Sequence, residues 1–94
     1  MASMNEPNLL ERAIIIATNA HAGQVDKAGE PYILHPLRIM ASMWTDTERV
    51  VALLHDVVED CEGWDVARVV EEFGADVGAA VGALTKQEGE EYDA

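Results

Sequence analysis

Residues 50–60 read VVALLHDVVED, and this stretch decides the fold. Val51, Leu54, Val57 and Val58 recur at helical spacing and seek a core. Among them stand His55, Asp56, Glu59 and Asp60. His55 and Glu59 are four residues apart, as are Asp56 and Asp60, so each pair stacks one turn above the other. One imidazole and three carboxylates are thereby gathered beside a face that seeks a core. Such a cluster is costly to bury unless something compensates it, and a bound divalent ion is the usual compensation.

Upstream, Thr45 and Glu48 have the spacing of a capping box, which opens this helix near Asp46 and carries it to Asp60. A first helix is expected over 8–22, with Asn5 and Pro7 as start signals and Gly23 as its stop. Leu10, Ile14, Ala17 and His21 share its apolar face. The loop GQVDKAGEPY (23–32) breaks periodicity with its glycines and proline. A second helix is expected to start near Pro36 and cover LRIMASMW, leaving His35 at its entrance. Asp65 caps a fourth helix, VARVVEEF, closed by Gly74. Asp76 begins a fifth, VGAAVGAL, weakened by Gly78 and Gly82. The acidic stretch EGEEYDA from Glu88 reads as a solvated end. No convincing strand is present, so the fold class is all-α, a bundle of about five short helices packed at mixed angles.

Ninety-four residues make a single domain, 1–94. A hydrophobic content of 49% is enough for a core, but aromatics supply only 5%, so that core is built from small side chains. Eighteen acidic residues against six basic ones give a net charge of −12. That argues against nucleic acid, whose binding relies on neutralising phosphates with Lys and Arg. No apolar run approaches the roughly 20 residues that span a bilayer, so no membrane partner is expected. No secretory signal is read at the N-terminus. Cys61 is the single cysteine, which excludes an internal disulfide and suits a cytoplasmic setting.

His55 and Asp56 point about 100° apart on a helix and can grip one ion from two sides. Imidazole plus carboxylate suits a borderline divalent metal such as Mn, Fe, Co, Ni or Zn. His35 is the natural second imidazole. His21, on an apolar face, reads as a core residue or as a support to a ligand. Glu59 and Asp60 suit the orientation or deprotonation of a water, or support of a ligand histidine. Lys27 and Arg38 could each meet a phosphate or be ordinary surface charges. No Gly-rich phosphate loop, CxxC pair or nucleophile elbow occurs.

The blocks AHAGQVDKAGEPYILHP, ALLHDVVED, FG and ALTK, in that order, resemble the HD-domain hydrolases, and most nearly the hydrolase domain of the RelA/SpoT-type alarmone enzymes and their small stand-alone relatives. The likeness runs from about Ala20 to Lys86. It implies an HD-type helical hydrolase that removes the 3′-pyrophosphate from guanosine tetra- or pentaphosphate, typically with manganese. By this resemblance His35, His55 and Asp56 bind the metal, Glu59 and Asp60 assist the attacking water, and Lys27 contacts the nucleotide.

Two departures bear on that expectation. Asp26 stands where the family usually has arginine, which favours a different nucleotide or phosphorylated metabolite as the alternative substrate. The family's fourth ligand, an aspartate in a segment like KLADxxxN, has no counterpart, so the chain reads as the N-terminal portion of the family's domain without its last helices. The alternative reading is therefore an inactive HD fragment serving as an association or regulatory module, with self-association through an uncovered apolar face.

Overall fold

The computed structural model describes the backbone of residues 6–93 and side chains as far as residue 85. Five helices follow one another: α1 (Leu9–Ala20), α2 (Leu34–Ala41), α3 (Asp46–Asp60), α4 (Val66–Phe73) and α5 (Ala75–Asp93). The described residues contain no strand, only one isolated antiparallel bridge between Val25 and Pro31. The all-α expectation holds. No helix is long and apolar enough to cross a membrane.

α3 is the centre of the bundle and packs against α1, α2 and α5. Its capping box forms as the sequence implies: the Glu48 N–H donates to Thr45 Oγ1, and the Thr45 N–H donates to Glu48 Oε1. Leu53, Leu54 and Val57 are fully buried, with Val50 and Val51 beside them. Burying each such side chain stabilises the fold by roughly 1.5–3 kcal/mol relative to leaving it exposed. Facing them, α1 offers Ala13 and Ala17, also fully buried, whose small side chains let the two helix backbones draw close. α4 adds Val69 and Phe73 to the core, and α5 adds Val81.

Several boundaries differ from the sequence expectation. α1 is capped by Asn8, whose carboxamide oxygen accepts from the Glu11 N–H while Glu11 accepts from the Asn8 N–H. Pro7 precedes that cap and Asn5 lies outside the described residues. α2 begins two residues before Pro36, because a turn built by Leu34 N–H to Pro31 O and His35 N–H to Tyr32 O starts the coil early. Pro36 is tolerated there because first-turn N–H groups have no helical partner to lose. His35 thus sits inside the first turn rather than at its entrance. The same helix stops at Ala41, so Ser42, Met43 and Trp44 fall outside it.

α5 continues far beyond Leu84, to Asp93. The backbone of the acidic stretch is therefore helical, and the solvation of its side chains lies outside the described residues. Several large apolar side chains are exposed, Trp44 at 91% and Val25 at 63%, with Leu9, Ile15 and Leu84 also open.

Gly78 does more than weaken α5. It is buried against α4, where an added Cβ would run into the Val70 side chain and come within 3.3 Å of its Cα. At Gly82 a Cβ would only make ordinary contact with Val66, at 3.6 Å. The two glycines should therefore respond oppositely to alanine. Gly78→Ala is expected to destabilise the fold by about 1–3 kcal/mol through overpacking. Gly82→Ala should stabilise it by up to about 1 kcal/mol through helix propensity. Denaturant midpoints of the two variants against the parent check this pair.

Candidate metal centre

The polar edge of α3 emerges just where its apolar stripe ends. His55, Asp56 and Glu59 each offer a ligand atom, and these atoms lie within 4.8 Å of one another. His55 Nδ1 is 3.9 Å from Asp56 Oδ1, and the opposite ring nitrogen, Nε2, contacts a Glu59 carboxylate oxygen. His55 and Asp56 are largely buried, with side chains 14% and 16% exposed, and Glu59 is more open at 27%. The helical i, i+4 spacing makes the His55–Glu59 contact, as the sequence suggests.

Asp56 is the least satisfied of the three. Its Oδ2 is buried and has no hydrogen-bond partner among the described residues. Burial pushes its pKa above the ordinary aspartate value, while His55, then His35, pull it down; Asp60 adds to the rise and His21 opposes it. An anionic oxygen without a donor, next to an imidazole and a second carboxylate, is a donor set that suits a divalent cation. The residues present therefore fit a metal ion.

Of the other expected site residues, His35 and Asp60 neighbour this edge without joining the cluster. His35, on the first turn of α2, is exposed and falls outside the 4.8 Å group. Its ring lies 5.7 Å from that of Tyr32, and its charge reaches Asp56. Asp60, at the end of α3, accepts a hydrogen bond from the Tyr32 hydroxyl at 3.2 Å. Lys27 is exposed on the 22–33 loop.

His21 is buried, 2% exposed. Its Nδ1 lies 2.8 Å from Gln24 Oε1 and 3.4 Å from the Cys61 thiol, a satisfied core histidine as its apolar position suggests. Burial raises the pKa of that thiol, and the Gln24 amide opposes the rise.

Tyr32 is the residue that sequence reasoning passed over. It stands between the His21 ring, at 4.9 Å, and the His35 ring, and it reaches across to α3. Burial and the nearby Asp56, Asp60 and Glu59 carboxylates push its pKa up to about 12, so it stays a donor at neutral pH. Its signal was available in part: a tyrosine three residues before His35 shares a side of any helix-like turn. Its partner Asp60 is 28 positions away, and no local pattern reveals that contact.

Asp26 likewise does something its charge alone does not suggest. Its Oδ1 accepts from the N–H groups of Ala28, at 2.9 Å, and Glu30, at 3.0 Å. This Asx-type turn, with Gly29 at φ 83°, shapes the loop that delivers Tyr32 to the site.

The raised pKa of Asp56 has a signed consequence for the metal-free protein. A carboxyl whose folded pKa is raised costs stability that is absent below the unfolded pKa, grows as pH rises from there toward the folded pKa, and is complete above it. Asp56→Asn should therefore unfold at higher denaturant than the parent at neutral pH in a chelator. The gap should close as pH falls below the ordinary aspartate range, and paired unfolding curves across pH check it.

Comparison with known proteins identifies the family of the chain. The chain is 42% identical over 87 residues to the guanosine-3′,5′-bis(diphosphate) 3′-pyrophosphohydrolase of Vibrio cholerae, a match covering 86% of this chain and 12% of that protein. It is 45% identical over 76 residues to the protein of the same name in Haemophilus influenzae, covering 77% and 11%. To the bifunctional (p)ppGpp synthase/hydrolase SpoT of Escherichia coli it is 49% identical over 55 residues, covering 54% and 8%. The chain thus spans about a tenth of the length of these curated relatives. Residues 13–91 match the family described as HD domain. With most of its length inside that match, and with the His55-Asp56 pair buried at the polar edge of its central helix, the chain belongs to the HD domain family.

Proposed function

We propose that this chain is the metal-dependent phosphohydrolase part of an alarmone-type enzyme, cleaving the 3′-pyrophosphate from a guanosine tetra- or pentaphosphate. The observation that carries the reading is the buried, unpartnered Asp56 Oδ2 beside His55 and Glu59. The activity for which the Vibrio and Haemophilus relatives are named supports the substrate class.

In this reading His55 and Asp56 hold a divalent ion, manganese by the family resemblance, and His35 completes the set from α2. When bound, the ion supplies Lewis-acid polarisation of a phosphoryl oxygen and lowers the pKa of water. Glu59 and Asp60 orient the attacking water and take its proton on a carboxylate oxygen. Lys27, exposed on the loop beside this edge, offsets phosphate charge in a chain of net charge −12. The water oxygen would bond to the phosphorus carried on the ribose 3′-oxygen, that P–O bond would break, and the 3′-oxygen would take up a proton as pyrophosphate is released.

Glu59 has two candidate duties, because it already touches His55. Measuring metal affinity apart from turnover separates them. Asp56→Ala should abolish manganese binding and hydrolysis together. Glu59→Gln should keep manganese affinity within about threefold yet lower kcat by roughly 10²–10⁴-fold, the usual worth of a general base. Manganese loss in Glu59→Gln would make Glu59 a ligand instead, and unchanged manganese binding in Asp56→Ala would sink the metal site altogether.

The substrate question centres on Asp26. Replacing it by Arg would remove the acceptor of two loop hydrogen bonds as well as reverse a charge. Asp26→Asn keeps an oxygen acceptor for the turn and removes only the charge. It is expected to raise kcat/KM for guanosine tetraphosphate several-fold, more at low salt, because exposed charges are screened. An unchanged or lower kcat/KM would favour a substrate other than the alarmone.

A further inference from the structure

Tyr32 makes the contact that ties the 22–33 loop to the catalytic end of α3. The loop is folded back on itself by Asp26 N–H to Glu30 O, at 2.9 Å, and by Tyr32 N–H to Gln24 O, also at 2.9 Å. The Tyr32 backbone oxygen in turn receives the His35 N–H that starts α2. The phenol ring lies against the His21 ring, with centroids 4.9 Å apart, and 5.7 Å from the His35 ring. Its hydroxyl donates to Asp60 Oδ2.

Asp60 needs such a hold. It is exposed and is the last residue of α3, where the helix gives way to extended backbone at Cys61. A carboxylate on a fraying last turn samples many rotamers. One acting on a water must present a single oxygen in one direction, and misplacement by about 1 Å can cost 10²-fold in rate.

We propose that Tyr32 is a positioning residue whose hydroxyl holds Asp60 Oδ2, leaving the other carboxylate oxygen directed at the attacking water. This inference rests on the hydrolase reading above and adds to it a residue that neither touches the metal nor contacts the substrate. The bond length, 3.2 Å, is long for an O–H donor; catalytic hydrogen bonds are often long in the ligand-free state and tighten in the complex.

The test uses the 94-residue chain loaded with manganese, comparing the parent, Tyr32→Phe, Asp60→Asn and the double variant. For each, kcat and KM for guanosine tetraphosphate are measured beside manganese affinity. Tyr32→Phe keeps the ring between the two histidines and is expected to fold like the parent by circular dichroism. It should lose roughly 10- to 100-fold in kcat with KM and manganese affinity unchanged. Its loss should vanish in the Asp60→Asn background, since there is no longer a base to position.

An unchanged kcat in Tyr32→Phe, or losses that simply multiply in the double variant, would overturn the proposal. So would a fall in manganese affinity, which would mark Tyr32 as structural support for the metal site. Asp60→Glu shifts the carboxylate away from the hydroxyl without altering Tyr32, and full activity in it would overturn the proposal even if Tyr32→Phe fails to fold. An inactive parent chain would instead bring down the hydrolase reading, and the positioning role with it.

Discussion

The packing of α3 governs everything else in this molecule. Val50, Leu53, Leu54 and Val57 are locked among α1, α2 and α5, and close-packed interiors leave little freedom to rotate a helix about its axis. A rotation by one residue, about 100°, would drive His55 or Asp56 into the core and lift a leucine out. The apolar stripe therefore aims the polar edge. His55, Asp56 and Glu59 owe their shared direction to the core beside them, and their half-buried state follows from standing at its border.

That border makes the site electrostatically unfinished. Asp56 is shielded from water, its Oδ2 lacks a donor among the described residues, and burial disfavours its ionisation although His55, His35 and His21 favour it. The Tyr32 phenol, close to three carboxylates, is pushed the same way, toward keeping its proton. Burial is the first cause in both cases, and neighbouring carboxylates add to it. A divalent cation beside Asp56 would favour its charged form by direct attraction. The basic residues that α1 and α4 carry are engaged elsewhere, Arg12 in a bridge to Glu72 at 3.0 Å and Arg68 over the Trp64 ring at 3.9 Å.

Small residues perform a parallel task away from the site. Ala13 and Ala17 on α1 and Gly78 on α5 allow close helix approach, which compensates for a core poor in aromatics. The loop works by similar economy. Asp26 closes it with a single carboxylate oxygen, and the resulting turn sets Tyr32 in place. The residue that reads in the sequence as a departure from the family pattern is thus also the residue that shapes the loop.

The helices, the central place of VVALLHDVVED and the grouping of His55 with Glu59 were legible in the linear chain, because helical periodicity and capping are local and repeat every few residues. Thr45 with Glu48 and Asp65 before Val66 announced their helix starts for that reason. The early start of α2 was not legible, since it depends on turn bonds from Pro31 and Tyr32 rather than on Pro36. Neither was the meaning of Gly78, which reads as a weak helix residue until Val70 of α4 is laid against it. Tyr32 on Asp60 and His21 against Cys61 join residues 28 and 40 positions apart. Local pattern determined which groups are presented and on which face of a helix; tertiary packing decided which of them meet, because contacts between distant segments are set by how buried surfaces fit together.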